Sequence, residues 1–243
     1  GESTVKENIL GNLYEISPNS FLQVNHGSTE KLYSLALSYA SLDKNDILAD
    51  LYCGAGTITL LAARKCKKVY GIEIVPAAIE NARRNAALNG IDNAEFLCAD
   101  CKDGFNEILK RSGKPNAIIL DPPRKGLSEQ VIYDVCAQNA ERIVYISCDP
   151  ATLARDLSIF IKKGYTPKKI SPVDMFPQTT HVETVFLLSR EKVDGYVNVD
   201  LDANKIVSKS KTGTATYKEI KEYINDKYGF TVSSLNIAQV KDK

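Results

Sequence analysis

Cys148 lies in the stretch RIVYISCDPATLARD, residues 142–156, between a short apolar run and a segment that reads as a helix. The run is rich in β-branched residues, as a buried strand is. Asp149 suits the N-cap of the helix, and Pro150 suits its first turn, where no N–H is needed. One thiol is therefore expected at a strand end, beside a helix N-terminus. The positive helix end should lower its pKa from the ordinary value of roughly 8.5. Asp149 opposes that, so partial activation is the expectation. Read alone, Cys148 serves equally as an inert buried cysteine. The phrase THVET offers His181 and Glu183 shortly before a further strand-like stretch. A carboxylate near a thiol can act as the base that a nucleophile requires. Read alone, His181 is a turn-packing residue and Glu183 a solvated acid on an edge strand.

A second group of residues suits a small ligand. CGAGTIT, residues 53–59, has two glycines of a nucleotide turn, Gly54 and Gly56, but lacks the third of GxGxxG. Without a run that cradles phosphates, a ligand without pyrophosphate is favoured over a dinucleotide. Asp50 stands just before this turn, and Glu73 and Asp100 end the next two strand-like stretches. An acid at the second strand end can accept both hydroxyls of a ribose, and a polar group at the third can reach an adenine amine. This set fits S-adenosylmethionine. DPPRKG, residues 121–126, puts Asp121 at a fourth strand end, where two prolines fix the backbone and remove two donors. Pro-Pro is also an ordinary strand-ending turn, with Arg124 and Lys125 solvated. As functional residues, those two could meet a phosphate. Cys98 and Cys101 form one CxxC spacing with no second pair, which gives no metal site.

The elements that must position these residues follow a βα rhythm. Strands are expected at 47–52, 68–74, 95–99, 117–120 and 142–147, and a final pair at 168–175 and 184–189. Helices are expected at 28–42, 57–65, 76–89, 101–111, 129–139 and 152–163. Such alternation predicts a parallel sheet wrapped on both faces, with ligands at the carboxyl ends of its strands. Asp50, Glu73, Asp100, Asp121 and Cys148 all fall at such ends. Residues 1–27 read as a lead-in with two short strands. Residues 191–243 read as a small α+β appendage, with a strand-like YVNVDL and a helix opened by Thr216 and Glu219 in capping-box register.

Composition bounds the rest. A chain of 243 residues can bury one good core with a small addition. The formal charge of +1 gives no global attraction to nucleic acid. In residues 191–243 nine lysines face eight acids, so a strong electrostatic RNA grip is not expected there, and a protein contact, a lid and a passive addition stay open as its role. No apolar run is long enough to span a bilayer. Six scattered cysteines point to a reducing cytoplasm rather than a disulfide framework. The chain opens on Gly1 and its one methionine is Met175, so an upstream portion is expected.

Taken together and in order, SPNSFLQVN, DLYCGAGTITL, GIEIVPAAIENARRNA, DPPRKG, YISCDPATLARD and HVET resemble the catalytic domain of the RNA 5-methyluridine methyltransferases. The resemblance runs from about Ser17 to Arg190. It implies a Rossmann-like, S-adenosylmethionine-dependent methyltransferase fold over 28–190, and RNA as partner, ribosomal RNA favoured and tRNA left open. It places Gln23, Tyr52, Gly54, Gly56, Thr57, Glu73, Asp100 and Asp121 at cofactor positions, Cys148 at the nucleophile and Glu183 at the general base. Phe21, Arg124 and Asp149 become candidate substrate contacts, and no metal is implied. The implied chemistry is addition of the Cys148 thiolate to C6 of uracil, methylation at C5, and loss of the C5 proton to Glu183. The uridine would have to be flipped out or come from a loop. Two departures stand out. Asp149 replaces an Asn common after the nucleophile, and Thr57 replaces an Asn common after the second motif glycine. The alternatives are an RNA cytosine-C5 methyltransferase and a non-catalytic RNA- or cofactor-binding module. Arg124 after Pro123 argues against the first, since that family commonly carries a second cysteine in its Pro-Pro motif.

Overall fold

The computed structural model describes residues 5–16, 25–179 and 182–190, together with 221, 222, 225 and 226. Contacts divide the chain into two compact units, Gly1–Lys192 and Val193–Lys243. In the second unit the described residues 221, 222, 225 and 226 are helical and fall within the helix expected from Thr216. The expected strand at 196–201 lies outside the described residues.

The first unit begins with an antiparallel hairpin, β1 (Val5–Ile9) and β2 (Asn12–Ile16), followed by α1 (His26–Ala40). The alternation then runs β3 (Ile47–Leu51), α2 (Thr57–Ala63), β4 (Lys68–Glu73), α3 (Pro76–Leu88), β5 (Ala94–Cys98), α4 (Cys101–Ser112), β6 (Ala117–Leu120), α5 (Glu129–Ala137), β7 (Arg142–Ser147), α6 (Pro150–Lys162), β8 (Thr166–Val173) and β9 (Glu183–Ser189). The seven strands from β3 onward form one sheet in the order β5-β4-β3-β6-β7-β9-β8. Strand order reverses between β3 and β6, so a crevice opens at their carboxyl ends. This is the doubly wound arrangement that the sequence predicts.

The expected boundaries shift by one or two residues at most elements, and helix α6 starts at Pro150 rather than at Thr152. Helix α1 starts at His26, capped by the Asn25 side chain on Ser28 N–H, rather than at Ser28. Strand β8 runs 166–173 rather than 168–175, with a register shift between Pro167 and Lys169.

Two cores lie on the two faces of the sheet. Leu48, Val69, Ile119, Val144 and Leu187 pack with residues of α1, α2 and α3. Ala49, Tyr70, Ile118, Ile143 and Leu188 pack with α4, α5 and α6. Successive strand residues point to opposite faces, and both faces are covered, so these strands read as continuous apolar runs rather than alternations. The hairpin is pinned to α3 by asparagines. Leu13 N–H donates to Asn89 Oδ1 at 2.8 Å, Asn89 Nδ2 returns a bond to the Leu13 carbonyl at 2.7 Å, and Glu15 N–H donates to Asn85 Oδ1 at 2.8 Å. The buried Tyr14 hydroxyl donates to the Thr57 carbonyl at 3.0 Å, tying the hairpin to the first turn of α2.

Gly71, in the middle of β4, marks a tight approach between neighbouring elements. A Cβ there would lie 2.7 Å from the Phe96 ring and 2.8 Å from Cys53 Sγ, both buried. Gly71→Ala is expected to destabilise the chain by about 1–3 kcal/mol through overpacking. The measurement is the denaturant midpoint at unchanged m-value; an unaltered midpoint would show that the neighbours yield freely.

Candidate active site

The carboxyl ends of β3, β4, β6 and β7 and the amino end of β9 converge on one cavity of about 480 Å³. Part of its lining is the turn after β3. Tyr52 takes a positive φ of 64°, and Gly54 and Gly56 take 53° and 83°. A side chain at Gly56 would press on Phe96 and Ala82 as well as strain the backbone, so this position requires glycine. Glu73, at the end of β4, is held by two backbone donors, Gly54 N–H at 3.3 Å and Val75 N–H at 3.0 Å. Its carboxylate thus faces the β3 turn.

Asp50 is buried, and one of its oxygens accepts from Thr59 Oγ1 at 2.5 Å. The other, Oδ1, is buried with no partner. Burial raises its pKa to about 7, the Thr59 hydrogen bond limits the rise, and Glu73 adds to it. Asp121 is raised to about 8, first by burial and then by Glu183 and Asp50. Glu183 is also raised, by burial, with Arg124 acting the other way. Asp50, Glu73, Asp121 and Glu183 all line the cavity, and Arg124 is the one cationic side chain among the described lining residues. Such a wall favours a positively charged ligand and repels a pyrophosphate.

Cys148 opens into the same cavity, partly exposed. Strand β7 pairs antiparallel with β9, with Ser147 opposite Thr184. The next residue on each strand is Cys148 and Glu183, so the reversed direction of β9 brings its first residue to the thiol. The expected activation of the thiol is not what the structure gives. Burial raises the Cys148 pKa, and Glu183 and Asp121 add to the rise, while its own backbone hydrogen bond and Arg124 oppose it.

The other expected site residues divide. Tyr52, Gly54 and Thr57 line the cavity with the acids. Gly56 is the N-cap of α2 behind them. Asp100 caps α4, accepting from Asp103 N–H at 2.9 Å, and is not among the lining residues. Asp149 caps α6 through the N–H groups of Ala151 (2.8 Å) and Thr152 (3.0 Å). Phe21, Gln23 and His181 lie outside the described residues. Tyr33 of α1 and Phe176 also line the cavity, and sequence reasoning missed both. Tyr33 fell on the buried face of a helix, where an aromatic reads as core. Cys98 and Cys101 are free thiols, and no group of residues suited to a metal occurs among the described residues. No helix among the described residues is long and apolar enough to cross a membrane.

Residues 5–191 match the family model described as tRNA (uracil-5-)-methyltransferase. The chain belongs to this family. An uncharacterised RNA methyltransferase of Clostridium acetobutylicum is 46% identical over 190 residues, 78% of this chain and 41% of its own length. One of Streptococcus pyogenes serotype M18 is 47% identical over 191 residues, again 41% of its length. The chain therefore spans about two fifths of these relatives. Among solved structures, the Pyrococcus abyssi tRNA (uracil-54, C5)-methyltransferase in complex with S-adenosyl-L-homocysteine superposes with a TM-score of 0.65 at 34% identity, covering 77% of this chain and 45% of that one. A tRNA m1G37 methyltransferase of M. jannaschii shares the fold, with a TM-score of 0.57 at 16% identity over 79% of this chain and 58% of that one. The Rossmann-like methyltransferase fold is thus the fold of this family member.

The raised Asp50 carboxyl has a measurable consequence for stability. Its folded pKa lies above the unfolded value of 3.8, so the folded state keeps the proton longer. The stability tied to that proton is full below the unfolded pKa and is lost as pH rises through about 7. Asp50→Asn keeps the Thr59 bond and carries no charge. In thermal unfolding without ligand it is expected to be more stable than the parent by roughly 2–4 kcal/mol at pH 8, with the difference vanishing near pH 4. A constant difference across this range would show that Asp50 titrates as an ordinary carboxyl.

Proposed function

We propose that this chain is the catalytic part of an enzyme that transfers a methyl group from S-adenosylmethionine to C5 of a uridine in RNA. The observation that carries the reading is the single cavity in which four carboxyl groups face a thiol. S-adenosylmethionine has a sulfonium and an ammonium, both cations, and no phosphate, so its charge suits this wall. The unpartnered Asp50 Oδ1 is a vacant acceptor for a cationic or hydrogen-bonding group. Tyr52, Gly54, Gly56, Thr57, Glu73, Asp100 and Asp121, with Gln23, are the residues assigned to hold it. Glu73 supplies two oxygens to ribose hydroxyls, and Asp121 sits between the cofactor and substrate ends.

When bound, S-adenosylmethionine supplies an electrophilic methyl group. The chain supplies the rest. Cys148, which is partly exposed, loses its thiol proton to solvent, and its sulfur bonds to C6 of uracil as the C5–C6 π pair moves onto C5 and the C4 carbonyl, which makes C5 electron-rich. C5 could then take the methyl group, whose bond to the sulfonium sulfur would break with its electron pair left on the departing thioether. Glu183, whose raised pKa makes it a better base than an ordinary carboxylate, takes the C5 proton. The C5–H electron pair closes the C5–C6 double bond and expels the thiolate. Phe21, Arg124 and Asp149 are assigned to the substrate side; Asp149 already spends its carboxylate on the helix cap. Ribosomal RNA and tRNA are the two substrates to test, since the sequence phrases are shared by methylases of both, and cysteine usage favours the cytoplasm.

The test uses this chain, and a version extended to the length of its relatives, with labelled S-adenosylmethionine and either ribosomal or transfer RNA. Label is expected in 5-methyluridine, and Cys148→Ala is expected to lose at least about a thousandfold in rate. Glu183→Gln is expected to stall after methyl transfer and leave RNA covalently attached, seen as a protein band of reduced mobility that RNase shortens. Label in 5-methylcytidine would move the chain to cytosine chemistry. Cofactor binding without label in either form of the protein would leave only a binding module.

A further inference from the structure

The loop after β6 carries Arg124 into the cavity, and a buried carboxylate on α6 clamps the far end of that loop. Asp156 is fully buried. Its Oδ2 accepts from Leu127 N–H at 2.8 Å and from the Tyr145 hydroxyl at 2.7 Å. Its Oδ1 pairs with the Arg155 guanidinium, at 2.8 Å from Nε and 2.7 Å from Nη2. Arg155 Nη2 in turn donates to the carbonyls of Lys125 and Leu127, each at 3.0 Å. One turn nearer the start of α6, Thr152 Oγ1 donates to the Arg124 carbonyl at 3.3 Å. Gly126, with φ +71°, leaves no room between them. A Cβ there would lie 2.7 Å from both Arg155 Nη2 and Asp156 Oδ2. The clamp thus joins the Arg124 loop to the helix that begins two residues after Cys148. The Arg124 side chain itself makes no hydrogen bond or ion pair among the described residues, so the position of its backbone is what limits where its guanidinium can reach.

We propose that Asp156 is a positioning residue: through Leu127 N–H and Arg155 it fixes the 124–127 loop and so keeps the Arg124 guanidinium in the cavity with Cys148 and Glu183. The charged groups that bear on Cys148 are Glu183 from β9, Asp121 from the end of β6, and Arg124 from the loop. Two are acids that hold the proton on sulfur, and Arg124 is the cation that releases it. Moving the loop would remove that cation without touching the thiol or the base. The value of this for catalysis rests on the methyltransferase reading. The positioning itself does not, because it can be read from the thiol alone.

The experiment measures iodoacetamide alkylation of Cys148 against pH, resolved from the other cysteines by peptide mass spectrometry, in the absence of cofactor and RNA. Arg124→Gln is expected to move the midpoint upward by about one pH unit. Asp156→Asn keeps the volume but presents an amide N–H to either Leu127 or Arg155, so it breaks one half of the clamp. It is expected to move the midpoint in the same direction, and to add little in the Arg124→Gln background. Gly126→Ala, which leaves every charge in place, is expected to do the same if folded, while Lys125→Gln, whose side chain is outside the cavity, is expected to leave the midpoint alone. The proposal is overturned if folded Asp156→Asn or Gly126→Ala keeps the parent midpoint, or if the shifts of Asp156→Asn and Arg124→Gln simply add. Since alkylation needs neither RNA nor S-adenosylmethionine, failure of methyl transfer and failure of the clamp are separate results.

Discussion

Placing four carboxyl groups and a thiol around one cavity is the constraint on which the rest of this structure turns. Burial disfavours each charge, and each charge disfavours the next. The outcome is visible in Asp50 and Asp121, raised to about 7 and about 8. At these values the empty cavity stores protons near neutral pH instead of full negative charge. A cation entering it can take the place of those protons. A unit charge at 4 Å interacts by about 4 kcal/mol at an effective dielectric of 20, the same order as the cost of ionising a carboxyl raised from 3.8 to about 7. The wall is therefore costly alone and relaxed by a cationic ligand. The strain is held by rigid elements: the Thr59 bond on α2, the two backbone donors on Glu73, and the Arg155–Asp156 clamp on α6.

Topology decides which residues meet there. Five parallel strands deliver their last residues to one edge, as any doubly wound sheet does. Glu183 is the exception, since it is the first residue of its strand. It reaches the same edge because β9 alone among the sheet strands runs against its neighbours β7 and β8. Had β9 been parallel, its amino end would lie at the opposite edge, some six residues from Cys148. The single antiparallel strand is thus what joins the base to the thiol.

The strand positions were readable because both faces of the sheet are covered. Runs such as IVYIS and AIIL must be apolar throughout, and helices with clear caps separate them. The acids at the strand ends were readable for the same reason, being the first polar residues after such runs. What was not readable is non-local. The direction of β9 leaves no mark in ETVFLLS itself. Asn85 and Asn89 look like ordinary polar positions on α3, and only the structure shows that they act as hydrogen-bonding partners for the β2 backbone. Asp156 reads as a surface acid of an amphipathic helix. Its burial depends on Tyr145 from β7 and on the Leu127 loop, which approach from twenty-nine residues away at the farthest.

The thiol shows why a local rule pointed the wrong way. A helix N-terminus stabilises a thiolate when its N–H groups and positive potential are free. Here Asp149 intercepts them. Its carboxylate takes the N–H groups of Ala151 and Thr152, and these bonds hold its own pKa below the usual carboxylate range. The benefit of the helix end thus goes to Asp149 and not to its neighbour. An Asn at this position, common in the family that the sequence resembles, would cap the same helix without bringing a charge and would leave more of the positive potential for the sulfur. In this chain burial is what raises the thiol first, Glu183 and Asp121 add to the rise, and Arg124 is the opposing cation. The substitution at position 149 and the clamp on the Arg124 loop are therefore two sides of one electrostatic balance: the more completely the helix end is neutralised, the more the nucleophile depends on a guanidinium carried by a neighbouring loop.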